Sequence, residues 1–187
     1  MKSPITLIML ISIAATLIAA APAHKFIPLG KYDEGLVIPA SSPVKFRRFG
    51  PYDRARFSGR FIVEGTWVLD CNFCEPGEKD NQLHLSLVPD PPMAARLPHW
   101  KMHDNDIAID IVRAQRFISS VSSADERRML LSGKLDEIRG HAALLVDEFE
   151  AGLDCDSANY SARFVAVAKA PTRKKLELAG DYGCGGI

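Results

Sequence analysis

Cys71-Asn72-Phe73-Cys74 is a spacing that chemistry reuses. Two thiols placed this way form a redox pair when a helix N-terminus stabilises the first thiolate inside a βαβ unit. They form half of a zinc site when further ligands complete a set of four. Here the motif runs into Glu75-Pro76-Gly77-Glu78-Lys79-Asp80-Asn81, a turn-rich acidic stretch whose carboxylates disfavour a thiolate, and Cys155 and Cys184 do not make a second close pair. Haem attachment needs a histidine after the second cysteine, and Glu75 stands there. The four cysteines, Cys71, Cys74, Cys155 and Cys184, are therefore read as two disulfides, with three possible connectivities. Locality favours Cys71 with Cys74 and Cys155 with Cys184. The second bridge would close about 30 residues, stabilise by about 3 kcal/mol through the unfolded state, and pin a glycine-rich tail.

His99-Trp100-Lys101-Met102-His103 sets two imidazoles four residues apart with a thioether between them, a combination that suits copper or zinc. On a helix both histidines would share one face. Asp104-Asn105-Asp106 would end such a helix at once, and the metalloprotease pattern requires glutamate where Trp100 stands. Asp104, Asp106 and Asp110, like Asp154 and Asp156, offer oxygens to calcium but match no EF-hand loop. The chain has no G-x-S-x-G, phosphate loop or dinucleotide fingerprint, so its motifs call for no cofactor. Asn159-Tyr160-Ser161 is a glycosylation sequon in a eukaryotic host.

Charge is balanced overall, with 23 Lys and Arg against 23 Asp and Glu, so no global field draws the protein to nucleic acid or an anionic membrane. Locally the balance breaks. Residues 45–60 hold six bases and one acid, whereas residues 125–156 hold nine acids and four bases. Arg47, Arg48, Arg54 and Arg56 alternate with Phe46, Phe49, Tyr52 and Phe57 in the basic stretch. Such interleaving suits single-stranded nucleic acid, an anionic envelope polymer or a lipid headgroup. It equally suits a strand-entry segment that buries its aromatics and pairs its cations with the acidic stretches, and that reading is preferred.

The compartment follows from the first 23 residues. Lys2, the apolar run from Ile5 to Ile18 and Ala19-Ala20-Ala21-Pro22-Ala23 read as an export signal cut before His24. The run is shorter than the roughly 20 residues of a spanning helix, and no transmembrane segment is expected in residues 24–187. A periplasmic or secreted location, a protein or envelope partner and no nucleic acid are the consequent expectations.

Around these residues the elements read mainly as strands. Residues 24–43 carry turn-forming Pro and Gly and suggest an extended arm or linker. Phe57 to Leu69 places apolar residues and Gly59 and Gly65 at alternate positions, predicting one long strand bent or bulged at the glycines. Leu83, Leu85 and Leu87 repeat the alternation, as do Ile107, Ile109 and Ile111, and Tyr160 to Ala168. Ser123 with Glu126 predicts a capping box opening a short helix through Leu130, and Ile111 to Ile118 can also turn helical. Residues 141–153 fit a helical stripe and a strand equally. Phe57-Ser58-Gly59-Arg60-Phe61 and Leu131-Ser132-Gly133-Lys134-Leu135 share a pattern that suggests duplication. The predicted fold is mainly antiparallel β, a small barrel or sandwich with one or two short helices. Its two β-rich lobes would be 44–121 and 122–187, or these would form one domain. The functional expectation is a non-catalytic binding or structural module. The rival is a thiol-disulfide oxidoreductase or a metal-binding protein using the cysteine or histidine motif.

Overall fold

The computed structural model describes residues 24–28, 35–71, 82–102, 107–154 and 157–178, with side chains through Arg173. In chain order the strands are β1 (Lys25–Pro28), β2 (Gly35–Ile38), β3 (Lys45–Phe49), β4 (Ala55–Ser58), β5 (Phe61–Asp70), β6 (His84–Pro89), β7 (His99–Trp100), β8 (Ile109–Val112), β9 (Leu135–Asp154) and β10 (Ser157–Leu178). The helices are α1 (Pro91–Ala94), α2 (Gln115–Val121) and α3 (Ala124–Leu131).

Period-two alternation does most of the building. On β5, Phe61, Val63, Trp67 and Leu69 are buried, and the residues between them turn to the opposite face. Leu85 and Leu87, Ile109 and Ile111, and Tyr160 and Ala162 do the same on β6, β8 and β10. β5 is antiparallel to β6 and to β9, β6 is antiparallel to β8, β8 is parallel to β10, and β10 is antiparallel to β9. Following these neighbours from β5 through β6, β8, β10 and β9 returns to β5, giving a nearly closed five-stranded ring. It is thinnest between β6 and β8, where Ser86 faces Asp110 and Leu87 faces Ile109. The parallel pair joins the third and fifth ring strands, and α2 and α3 lie between the third and fourth. This is the connectivity of an OB-type Greek-key barrel.

The stretches 44–121 and 122–187 thus contribute strands to one ring and share one core. Gly59 and Gly133 both take positive φ, 127° and 67°, ahead of a ring strand. One follows β4 and the other follows α3, so the repeated pattern marks like turns on unlike preceding elements. Gly59 also breaks the predicted long strand into β4 and β5, both of which lie along β9. Residues 141–153 are strand because β9 has backbone partners on both sides, β5 or β4 on one and β10 on the other. The capping box is present, with Glu126 N donating to Ser123 Oγ and Ser123 N to the Glu126 carboxylate.

Two features extend the ring. Among the described residues β3 pairs only with β4 and forms the outer edge of the seven-stranded sheet. The stretch read as an extended arm contains β1 and β2, which join β7 in a separate three-stranded sheet. Trp100 ties that sheet to the barrel. Its ring stacks on Phe49 at 6.4 Å and its backbone N–H donates to Tyr160 Oη at 3.3 Å.

Inside the barrel, Phe149 meets Phe57, Phe61 and Tyr160 at ring-centre separations of 5.5, 6.0 and 6.2 Å. Helix α2 inserts Phe117, Ile118 and Val121, with Phe117 edge-on to Trp67 at 5.7 Å. Gly140 allows this packing: a Cβ there would lie 2.1 Å from the Thr172 carbonyl oxygen and 2.6 Å from Trp67 Cζ2.

Candidate functional site

β3 and β4 form a two-stranded edge carrying the basic stretch. Phe46 faces Phe57 across it, and beyond a bulge Arg48 faces Arg56. The aromatics divide by position. Phe57 is buried, and Phe46 and Phe49 pack half-buried against the core, but Tyr52 is 90 % exposed. It sits in the turn Pro51–Asp53 that joins the two strands, with φ at 57°. A tyrosine in the left-handed region and out of contact with the core costs folding energy that local packing does not return.

Arg47, Arg48 and Arg56 line one surface hollow of about 500 Å³. Arg54 follows the turn and does not line it. Arg56 Nε lies 3.0 Å from Glu150, and Glu148 and Glu150 line a neighbouring hollow with Arg56. Among the described residues Arg47 and Arg48 have no carboxylate partner, so the hollow keeps a net positive lining. Like charges directly opposed across paired strands are destabilising. Glu150 offsets Arg56, and Arg48, directly opposite it, keeps its charge unmatched among the described residues.

The other notable hollow, about 380 Å³ between α3 and β10, has its charges satisfied internally. Arg173 pairs with Glu126 there, and the Ser123 backbone N–H, followed by Arg173, holds the Glu126 carboxyl below the usual carboxylate range.

The histidine motif takes a different form from a helical face. His99 stands on β7 with Nδ1 3.0 Å from the Leu97 carbonyl, and Met102 is 72 % exposed on the turn beyond. His103 lies outside the described residues, as do Cys74, Cys155 and Cys184 and the N-terminal 23 residues. Cys71 directly follows β5, with Sγ 3.3 Å from the Gln82 carbonyl oxygen. No helix among the described residues is long and apolar enough to cross a membrane.

Strand register assembles two clusters on the outer wall that the linear sequence does not announce. His84 on β6 is clamped between carboxylates from its two neighbouring strands, with Nε2 2.8 Å from Asp110 and Nδ1 3.2 Å from Asp70. The hydrogen bond to Asp110, then that to Asp70, raises its pKa to about 10 against the opposing effect of burial. The imidazole is thus a fixed cation at neutral pH, poorly suited to proton transfer there. The second cluster brings together Glu64, Asp90 and His141 from β5, the end of β6 and β9. All but Asp90, which follows β6 as the N-cap of α1, are outward positions of alternating strands, so periodicity combined with register would have found those.

No family model, curated protein or solved structure matches this chain.

Proposed function

We propose that this protein is a non-catalytic binding module of the periplasm or extracellular space, which holds an anionic protein segment or envelope component along the β3–β4 edge. The observation that carries this reading is the convergence of Arg47, Arg48 and Arg56 on one hollow, with Arg48 and Arg56 directly opposed. Exposed Tyr52 at the tip of the same hairpin adds a rigid amphipathic contact of the kind enriched at interfaces. The outer side of β3, without a strand partner among the described residues, adds backbone groups that an extended segment can use. The signal-like N-terminal run and the proposed bridges at Cys71, Cys74, Cys155 and Cys184 support an oxidising, extracytoplasmic setting. Nucleic acid fits less well. The outer wall of β6 and β8, the face OB-type barrels use for oligonucleotides, presents His84, Ser86, Val88, Asp110 and Val112, in which His84 is matched by acids.

The test is binding of poly-L-glutamate and of anionic vesicles to the full chain from which residues 1–23 have been removed, measured across a salt series. R47S/R48S/R56S is expected to weaken binding at least about tenfold and flatten its salt dependence, while R54S changes it little. Unchanged binding by the triple variant, or no binding by the parent, removes the proposal.

A further inference from the structure

We infer that Glu64, Asp90 and His141 form a binding site for a divalent first-row transition metal on the barrel wall, separate from the arginine edge. One side-chain ligand atom from each of the three lies within 4.8 Å of the other two. That is the spacing of groups able to share one ion. One imidazole nitrogen with two carboxylates is a borderline ligand set that suits zinc and its neighbours better than magnesium or calcium. Each side chain is partly exposed, at 44 % for Glu64, 42 % for Asp90 and 35 % for His141, leaving room for water or a partner's group on the ion.

The positioning is built into three elements. Glu64 and His141 come from adjacent antiparallel strands in which Thr66 faces His141 and Glu64 faces Ala143. Asp90 is carried over them because β6 crosses β5 unusually closely at Gly65. A Cβ on Gly65 would lie 2.1 Å from the Val88 carbonyl oxygen and 2.8 Å from Pro89 Cα. The Asp90 backbone N–H then donates to the Glu64 carbonyl at 2.9 Å, fixing one ligand residue to another.

A second observation concerns what Asp90 does not do. It is the N-cap residue of α1, where aspartate ordinarily accepts from the first-turn amides, yet its carboxylate makes no capping bond. It turns to His141 instead, with Oδ2 3.0 Å from Nε2. Pro91 and Pro92 follow it and take two amide donors out of the first turn, which removes part of the competition for that carboxylate. Among the described residues the cation paired with this cluster is Lys169, whose Nζ lies 3.4 Å from Glu64 and whose side chain is 73 % exposed. An ion displaces this weak contact, and Lys169 swings into water.

The probe is Zn2+ alone, titrated calorimetrically into the full chain from residue 24 in a non-coordinating buffer, with Mg2+ as the hard-cation comparison. One equivalent of Zn2+ is expected, with no saturable Mg2+ binding. E64Q and H141N should each weaken Zn2+ binding at least about tenfold, K169Q should hold or tighten it, and H99N/H103N should leave it unchanged. Melting curves of each apo variant identify any that fail to fold. D90N, which keeps the shape of the cap residue, then serves as the substitute. Histidine NMR supplies the direct readout, since Zn2+ should shift the His141 ring resonances and leave those of His84 in place. The inference is overturned if the parent takes up no zinc, if binding follows His99 and His103 or the cysteines, or if the Glu64 and His141 variants bind as the parent does.

Discussion

Asp147 and Arg163 face each other across β9 and β10 in a two-pronged ion pair, Nε to Oδ1 at 2.8 Å and Nη2 to Oδ2 at 3.0 Å. The pair stands where β9 leaves β5 and begins to run beside β4, one residue before Glu148, whose φ of 50° makes the bend. Asp147 is 8 % exposed, which a carboxylate tolerates only when its oxygens are occupied. Hydrogen bonds from Arg163, ahead of its charge and of Arg60, hold the Asp147 carboxyl below the usual carboxylate range.

This pair sets an acid limit on stability. A carboxyl whose folded pKa is depressed contributes stability above its unfolded value, about 4, and loses it as pH falls through the folded value. D147N is expected to unfold at lower urea than the parent at pH 7. The two should converge on acidification, as urea midpoints measured from pH 7 down to pH 2.5 will show. A constant gap across that range would mean that Asp147 acts through packing.

His84 sets the alkaline counterpart. Its folded pKa is raised, so its contribution is fully present below the unfolded value of about 6.5 and is lost as pH rises through about 10. The imidazolium should persist at pH 8 in a ring-resonance NMR titration. D110N should lower the titration midpoint more than D70N, because the Asp110 hydrogen bond is the stronger cause. H84Q should remove the fall in melting temperature of the parent between pH 8 and pH 10.5. An ordinary midpoint near 6.5 would refute the clamp.

Tyr160 couples the small sheet to the barrel through a single phenolic oxygen. Tyr160→Phe leaves the buried Trp100 N–H without this acceptor and should cost about 1–3 kcal/mol. Hydrogen exchange at β2 and β7 should accelerate more than exchange within β5. Equal acceleration everywhere would mean that the hydroxyl serves the barrel as a whole.

Gly140→Ala places a methyl group against the Thr172 carbonyl and the Trp67 ring. It should cost at least the roughly 1–3 kcal/mol of an overpacked core and shift the Trp67 fluorescence. Gly133→Ala, with open space around its Cβ but φ at 67°, should cost about 1 kcal/mol and leave the fluorescence alone. Chemical denaturation of the two variants separates crowding from backbone strain.

The alternation of Phe61 to Leu69, of Leu85 with Leu87 and of Ile109 with Ile111 was readable because each strand buries one face, and the Ser123 and Glu126 spacing specified its helix start. The arginine edge was readable because a hairpin keeps sequence neighbours together in space. The outer-wall clusters were not. Asp70 and Asp110 stand 14 and 26 residues from His84, and Asp90 stands 51 from His141, so only strand order and register bring them together. The arm at 24–43 hid two strands for a related reason. Each is four residues long, β1 pairs with β2, and β2 pairs in turn with β7, a distant strand of two residues, so little local pattern marks them.

The ring is completed by its last strand in sequence, since β10 is the element that pairs with both β8 and β9. Until that strand leaves the ribosome, β5, β6 and β8 form an open sheet with an unpaired edge and an uncovered apolar face. Domains of this kind lock slowly, because contacts distant in sequence must close before the core is rewarded. The topology itself makes closure of the ring wait for β10, so the barrel core is sealed last.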